Sequence, residues 1–240
     1  MLLETDWFNI SWYGFFYGLT IMLSYTITVK LAQKDGKPLG SIADLYIFTF
    51  IGGLIGARLL NVFYYDWAYF SENLWEIPKI WNGGLASHGG LLGIAVAVWF
   101  FNKRNPQFTL AWLIDRMAIF ICLGGALVRL GNLMNSEIYG KITNVPWAFI
   151  FEKHSPFPRH PSQVYEAILT FGLFLFLLFL AKKEKPLPPY RMLGLFLIIG
   201  FSGRFILEFF KEAGHLPQLL NIPFVVLGIV FLVISYRRKK

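Results

Sequence analysis

A single cysteine in 240 residues rules out an intrachain disulfide, and Cys122 sits inside an apolar run, where a thiol is most often an inert small hydrophobe. Charge is also scarce. Only 15% of residues are Asp, Glu, Lys or Arg, 56% are hydrophobic, and the mean hydropathy is +0.54. That balance excludes a disordered chain and argues against a water-soluble domain with its own core. No internal repeat is visible, which fits poorly with the symmetric halves of many transporters. The first ten residues, MLLETDWFNI, hold Glu4 and Asp6 but no basic residue, so the positive start of a secretory signal peptide is not expected there.

What the chain has in abundance is apolar runs of near-spanning length. The expected fold is all-α: a polytopic membrane protein of about seven transmembrane helices, at about 12–32, 42–63, 88–101, 109–129, 162–181, 192–211 and 219–236. Residues 1–240 are expected to make one integral-membrane domain, with short outer-face segments at about 64–87 and 130–161. The breaks between helices are QKDGKPLG, NKRNPQ, KKEKPLPPYR and the terminal RRKK.

The basic residues are sorted between the loops. Lys30, Lys34, Lys37, Lys103, Arg104, Lys182, Lys183, Lys185, Arg191, Arg237, Arg238, Lys239 and Lys240 fall on one side, thirteen of the 22 Lys and Arg. Lys79, Lys141, Lys153, Arg159 and Lys211 fall on the other. The positive-inside rule then puts the N-terminus outside and the C-terminus in the cytoplasm. The net charge of +8 reflects a basic rim facing anionic membrane lipids and gives no reason to expect nucleic acid as a partner. Trp7, Trp12, Trp67, Trp75, Trp81 and Trp147 fall on or near the outer face. The segment YYDWAYFSENLWEIPKIW therefore reads either as a stretch lying along the membrane surface or as a plain outer loop. Gly52/Gly56 and Gly89/Gly93 have the small-xxx-small spacing that lets helices pack closely.

With this orientation the polar residues of the apolar segments converge on the outer leaflet. Ser87-His88-Gly89-Gly90 opens the third helix, and His160-Pro161-Ser162-Gln163 opens the fifth, both with free N–H groups toward that face. Arg129 ends the fourth helix and is followed by Asn132, Asn135 and Glu137. Arg204 has Glu208 at i+4, Arg58 lies toward the outer part of helix two, and Tyr13 lies near the start of helix one. Guanidiniums inside a membrane are costly and usually functional. Several of them with amides and helix N-termini make a site for an anion, and a phospholipid headgroup is already at that depth. The alternative is structural: each arginine pairs with Glu137, Glu166 or Glu208 to hold the bundle, and His88 is a satisfied structural histidine. A lipid flippase or transporter, or a scaffold, are the other classes of function the residues leave open.

The chain resembles the bacterial prolipoprotein diacylglyceryl transferase family along nearly its whole length. The resemblance rests on SWYGFFY, IGARLLNVFYY, WNGGLASHGGLLG, VRLGNLMNSEIYG, RHPSQVYEA and GRFILEFF. The fourth looks like the family signature, with Arg, Asn, Asn, Glu and Gly at set offsets. The resemblance implies transfer of a diacylglyceryl group from phosphatidylglycerol to the lipobox cysteine thiol of a preprolipoprotein signal peptide, with release of glycerol phosphate. No metal or organic cofactor is expected. Tyr13, His88, Arg129, Asn132, Glu137, Gly140, Arg204 and Glu208 match positions the family uses. For that chemistry His88 is the candidate base for the thiol, and Arg129 and Arg204 the stabilisers of the departing phosphate. Asn132 and Asn135 orient headgroup oxygens, Glu137 and Glu208 hold the arginines, and Tyr13, Arg58, Gly140, Ser162 and Gln163 complete the expected substrate-binding set. The chain departs from the family pattern at Val128, Leu133 and Gly200, and its outer segment 130–159 is short, implying a reduced head.

Overall fold

The computed structural model describes residues 3–4, 9–151, 154, 156–211 and 216–237. Trp7, Lys153, Arg238, Lys239 and Lys240, used above to orient the chain, lie outside them. In chain order a short antiparallel pair, β1 (Leu3–Glu4) and β2 (Asn9–Ile10), precedes α1 (Trp12–Lys34). Next come α2 (Gly40–Leu60), which runs on through a π-helical turn at Asn61–Tyr65, then α3 (Trp67–Glu72), α4 (Ser87–Arg104) and α5 (Leu110–Met134). A second two-residue pair, β3 (Phe149–Ile150) with β4 (Pro158–Arg159), leads to α6 (Ser162–Lys183). The remainder is α7 (Arg191–Leu195), a π-helical turn at Phe196–Gly200, α8 (Phe201–Leu207), a 3-10 turn at Glu208–Phe210, α9 (Leu216–Leu219) and α10 (Ile222–Arg237).

The chain is mostly helical, as expected of an all-α membrane protein, with the two small β pairs as the addition. Among the described residues five helical segments are long and apolar enough to cross a membrane: Trp12–Lys34, Gly40–Tyr65, Leu110–Met134, Ser162–Lys183 and Arg191–Phe210. The other two expected spans are helices of 18 residues (α4) and 16 residues (α10). Nearly every helix runs past its expected end. The extension of α5 to Met134 matters most, because Arg129 and Asn132 become neighbours on one helical face, three residues apart.

Two compact units form, Thr28–Leu113 and Met1–Ile27 with Ile114–Lys240. In the first, α2 packs on α4 through glycines. A Cβ at Gly56 would strike the Gly89 carbonyl, and one at Gly93 would strike the Gly52 carbonyl, so the two backbones touch. The spacing seen in each sequence segment thus serves the pairing of these two helices. The outward stripe Ile47, Ile51, Ile55 and Leu59 on α2 is exposed, the pattern of a face turned to lipid. At the basic end of this unit Lys37 Nζ donates to the Gln107 carbonyl at 2.5 Å, and Trp112 Nε1 donates to Asp35 Oδ2 at 2.8 Å.

In the second unit α10 lies against α7, α8 and the turn between them, and again the approach is set by small residues. A Cβ on Gly194 would come within 2.7 Å of Leu232, and one on Gly228 within 2.9 Å of Leu197. The Asp115 carboxylate, which interrupts the apolar run of α5, accepts the Leu193 N–H at 3.0 Å and so caps the first turn of α7. Ala167, Leu173, Phe174, Leu177 and Ala181 give α6 its buried face.

Candidate active site

The last turns of α5 and the turn after them gather most of the polar residues singled out in the sequence. Arg129 Nη1 donates to Asn132 Oδ1 at 3.1 Å. Asn132, 3% exposed, donates through Nδ2 to the Tyr13 hydroxyl, and that hydroxyl donates to Glu137 Oε2. Glu137 reaches Tyr13 because the chain reverses immediately after α5. Asn135 N–H closes on Gly131, Ser136 N–H on Leu133, and Glu137 N–H on the Asn132 carbonyl at 2.8 Å. Ser136 and Ile138 adopt φ of 60° and 56°. A β-branched residue with positive φ is strained, at a cost of about 1–3 kcal/mol, and the surroundings must hold it. Ser162 Oγ donates to the Ile138 carbonyl at 2.8 Å and Gln163 Nε2 to the Glu137 carbonyl at 2.6 Å, both from the buried first turn of α6. Those two side chains fix the turn that aims Glu137.

Gly140 is constrained by space. It pairs with Lys211 in an isolated β-bridge, and its N–H donates to the His160 carbonyl. A Cβ there would lie 2.5 Å from the Phe210 carbonyl and 2.7 Å from His160 Cβ. Any side chain would push Phe210 and Lys211, at the end of the 3-10 turn, away from the segment that follows α5.

A run of alternating charges connects the helices of this unit. Arg129 Nε faces Glu166 Oε2 on α6. Glu166 Oε1 takes Lys211 Nζ at 2.6 Å, Lys211 Nζ also lies 3.1 Å from Glu208 Oε1, and Glu208 lies 3.6 Å from Arg204 Nε. Glu166, Glu208 and Lys211 are almost fully buried, whereas the Arg129 side chain is 18% exposed and that of Arg204 49%. The interior of the run is therefore sealed, and its two terminal guanidiniums reach outward. Among the described residues Nη2 of Arg129 and both Nη atoms of Arg204 have no partner. The open Nη pair of Arg204 can take two oxygens of a phosphate at once, and Nη2 of Arg129 can donate to a further one. Lys211 was read from the sequence as a loop cation. Its spacing three residues after Glu208 was the signal for its place in the run.

His88 and Arg58 belong to the other unit. His88 is exposed in the first turn of α4. Arg58 is 6% exposed, and all five of its N–H groups point to backbone oxygens. Nε donates to Ile77 at 2.8 Å, Nη1 to Gly83 at 2.7 Å and Gly84 at 3.2 Å, and Nη2 to Glu76 at 2.5 Å and Lys79 at 3.3 Å. Its plane also covers the Phe70 ring at 4.8 Å. No donor is left for a phosphate; this arginine binds the segment 76–84. The Glu76 carboxylate accepts from Lys79 Nζ at 2.5 Å and Asn82 Nδ2 at 3.1 Å, and the Lys79 bond above all holds it below the ordinary carboxylate range. Around it Trp75 and Trp81 are 86% and 76% exposed. Among the described residues no three His, Cys, Asp or Glu side chains are grouped to hold a metal ion.

Comparison with known proteins agrees with the resemblance seen in the motifs. The family model for prolipoprotein diacylglyceryl transferase matches residues 1–234. A protein of Tolumonas auensis named phosphatidylglycerol–prolipoprotein diacylglyceryl transferase is 39% identical over 100% of this chain and 96% of its own length. Proteins of the same name from Chloroherpeton thalassium and Bacteroides fragilis are 42% and 38% identical, over 96% and 97% of this chain and 90% and 91% of theirs. Likeness of this extent, from the first motif to the last and across nearly the full length of each relative, means that the chain belongs to the prolipoprotein diacylglyceryl transferase family and is a transferase of lipoprotein biosynthesis.

Proposed function

We propose that this chain transfers the diacylglyceryl group of phosphatidylglycerol to the lipobox cysteine thiol of preprolipoproteins. It does so as one seven-span domain of the bacterial inner membrane, N-terminus outside and C-terminus cytoplasmic. The reaction faces the outer leaflet, with a small periplasmic head, and short outer-face segments lie at about 64–87 and 130–161. The names of the relatives support the two substrates. The observation that supports the reading best is the pair of outward guanidiniums, Arg204 open at both Nη atoms and Arg129 at Nη2, at the two ends of a buried, alternating ion run.

The chemistry follows from what each group offers. A free thiol has a pKa of about 8.5, so only a few per cent is thiolate near neutral pH. His88, assigned by the family resemblance and by its place in the first turn of α4, takes the thiol proton and later releases it to solvent. The sulfur then forms a bond to the terminal glycerol carbon of the diacylglyceryl group, and the carbon–oxygen bond to phosphate breaks. Glycerol phosphate departs with that electron pair, and the product is a thioether. Arg129 and Arg204 stabilise the charge that grows on the phosphate, while Tyr13, Asn132 and Asn135 orient oxygens of the glycerol portions. Glu137, Glu166 and Glu208 keep the polar groups at fixed angles. Cys122, buried in α5, is not the nucleophile.

The test is incubation of purified protein with phosphatidylglycerol and a lipobox peptide, read by mass spectrometry. A diacylglyceryl adduct on the cysteine with one glycerol phosphate released per transfer is expected. A lipid moved between leaflets without any adduct would establish a flippase instead. In the same assay His88→Gln should cut turnover by about 10²–10⁴ at neutral pH, with partial recovery as the pH is raised and the peptide thiol ionises by itself. Unchanged turnover removes His88 from the base role.

A further inference from the structure

A second lipid-shaped feature lies at the other end of the same helical segment. A cavity of about 620 Å³ opens between α7 and α10. Its walls are apolar, formed by Leu195, Ile198, Ile229 and Val233, and its mouth holds Arg191 and Arg237. Close approach of α7 and α10 at Gly194 and Gly228 holds the two helices that line it together. Arg191 Nη1 has one carboxylate contact, Glu184 Oε2 at 3.0 Å; among the described residues Arg237 has no ion pair. The mouth, which also holds Tyr236 and the buried Ser235, is thus net positive, and the cleft below it is mostly apolar. The segment Arg191–Phe210 has 20 residues. At about 1.5 Å per residue this puts the mouth roughly 30 Å from Glu208 and Lys211, one hydrocarbon thickness away from the ion run.

We infer that this cleft seats one anionic phospholipid, its phosphate held between Arg191 and Arg237 and one acyl chain laid between α7 and α10. The ligand is amphipathic in the same sense as the cleft: charged at one end, apolar along its length. Basic clefts between membrane helices at their positively charged loops hold acidic lipid headgroups in this way. The bound lipid is a structural wedge in the leaflet opposite the transfer site, and the inference does not depend on the proposed reaction.

Native mass spectrometry of the whole protein in mild detergent tests it, with dioleoyl phosphatidic acid and dioleoyl phosphatidylcholine as probes, neither being the donor of the proposed reaction. One phosphatidic acid per chain should be retained, with a preference over phosphatidylcholine of about tenfold or more. Arg191→Gln with Arg237→Gln should abolish that preference. Lys182→Gln with Lys183→Gln, which removes the same charge from the neighbouring end of α6, should preserve it. Equal loss in both double variants, or equal retention of the two lipids by the unaltered protein, means diffuse attraction to the rim and overturns the site. Arg191→Gln removes one partner of Glu184, so two further variants guard against misfolding: Arg237→Gln alone should weaken retention, and Val233→Trp should block the chain cleft with both arginines intact. Retention unaffected by Val233→Trp overturns the acyl-chain placement. Millimolar glycerol phosphate should not displace the lipid; complete displacement would make the mouth a free-phosphate site and overturn the proposal.

Discussion

Arg58 and Arg204 are the same residue type in the same kind of apolar helix, and the structure uses them in opposite ways. Arg58 is surrounded: five donors, five backbone carbonyls, an aromatic ring on one face and almost no exposure. Arg204 has a single carboxylate at its Nε edge and is half exposed. A guanidinium with every N–H satisfied internally is a fastener, because a new ligand could bind only by displacing an existing partner. One anchored at a single edge is a held tool, with its orientation fixed and its fork open. Arg129 is intermediate, paired through Nε and Nη1 but open at Nη2. Residue type does not distinguish the two uses; the count of satisfied donors does.

The sharpest break of this comparison is at the centre of the ion run. Lys211→Met leaves Glu166 and Glu208 facing each other without the cation between them, and removing one member of a buried ion pair costs about 3–5 kcal/mol. A thermal melt in detergent should fall by many degrees, and both outward guanidiniums should lose their aim. Next comes Arg204→Lys. A lysine keeps the charge but loses the fork, so transfer per folded molecule should drop by about 10²–10³, the range for removing one stabilising donor, while the melt stays near that of the unaltered protein. If the melt collapses and the rate per folded molecule holds, Arg204 is a fastener like Arg58. Arg58→Lys should give the reverse pattern. Three donors cannot serve five carbonyls, so stability should fall by about 2 kcal/mol with the transfer rate of the surviving fold unchanged. The smallest effect belongs to Glu76→Gln. The Glu76 carboxyl is held below the ordinary carboxylate range, so its ionised form favours the fold, and that help fades as the pH falls through the lowered value. Its exposed position keeps the effect small. The variant should lose only a barely resolvable part of the difference in melting temperature between neutral and mildly acid pH.

Much of this contrast was hidden from the sequence. The i, i+4 spacing pointed to Arg204 and Glu208 as neighbours, yet the shorter contact of Glu208 is with Lys211, which looks like an ordinary loop cation when only helix periodicity is read. Three carboxylates were equally available to Arg129. The structure pairs it with Glu166, because the left-handed Ser136 and Ile138 turn Glu137 toward Tyr13 instead, and no pattern of apolar residues reports a positive φ. Gly140, Ser162 and Gln163 were grouped with substrate contacts; their observed bonds and clearances shape the turn itself. Arg58 was unreadable for a related reason. Its partners are main-chain oxygens, which every residue has and no sequence distinguishes. The helices, by contrast, were legible almost throughout, since twenty apolar residues between basic loops leave the backbone few alternatives.

The alternating run also has a direction in time. Its members are made in the order Arg129, Glu166, Arg204, Glu208, Lys211, so Arg129 enters with α5 before Glu166 exists, and both carboxylates are made before the lysine that joins them. A chain that stops after α6 holds the Arg129–Glu166 pair without its lysine, and one that stops at Phe210 still lacks the cation that joins Glu166 to Glu208. Assembly of this unit is therefore complete only when residue 211 has emerged, and a truncated product would hold two buried carboxylates with no cation between them.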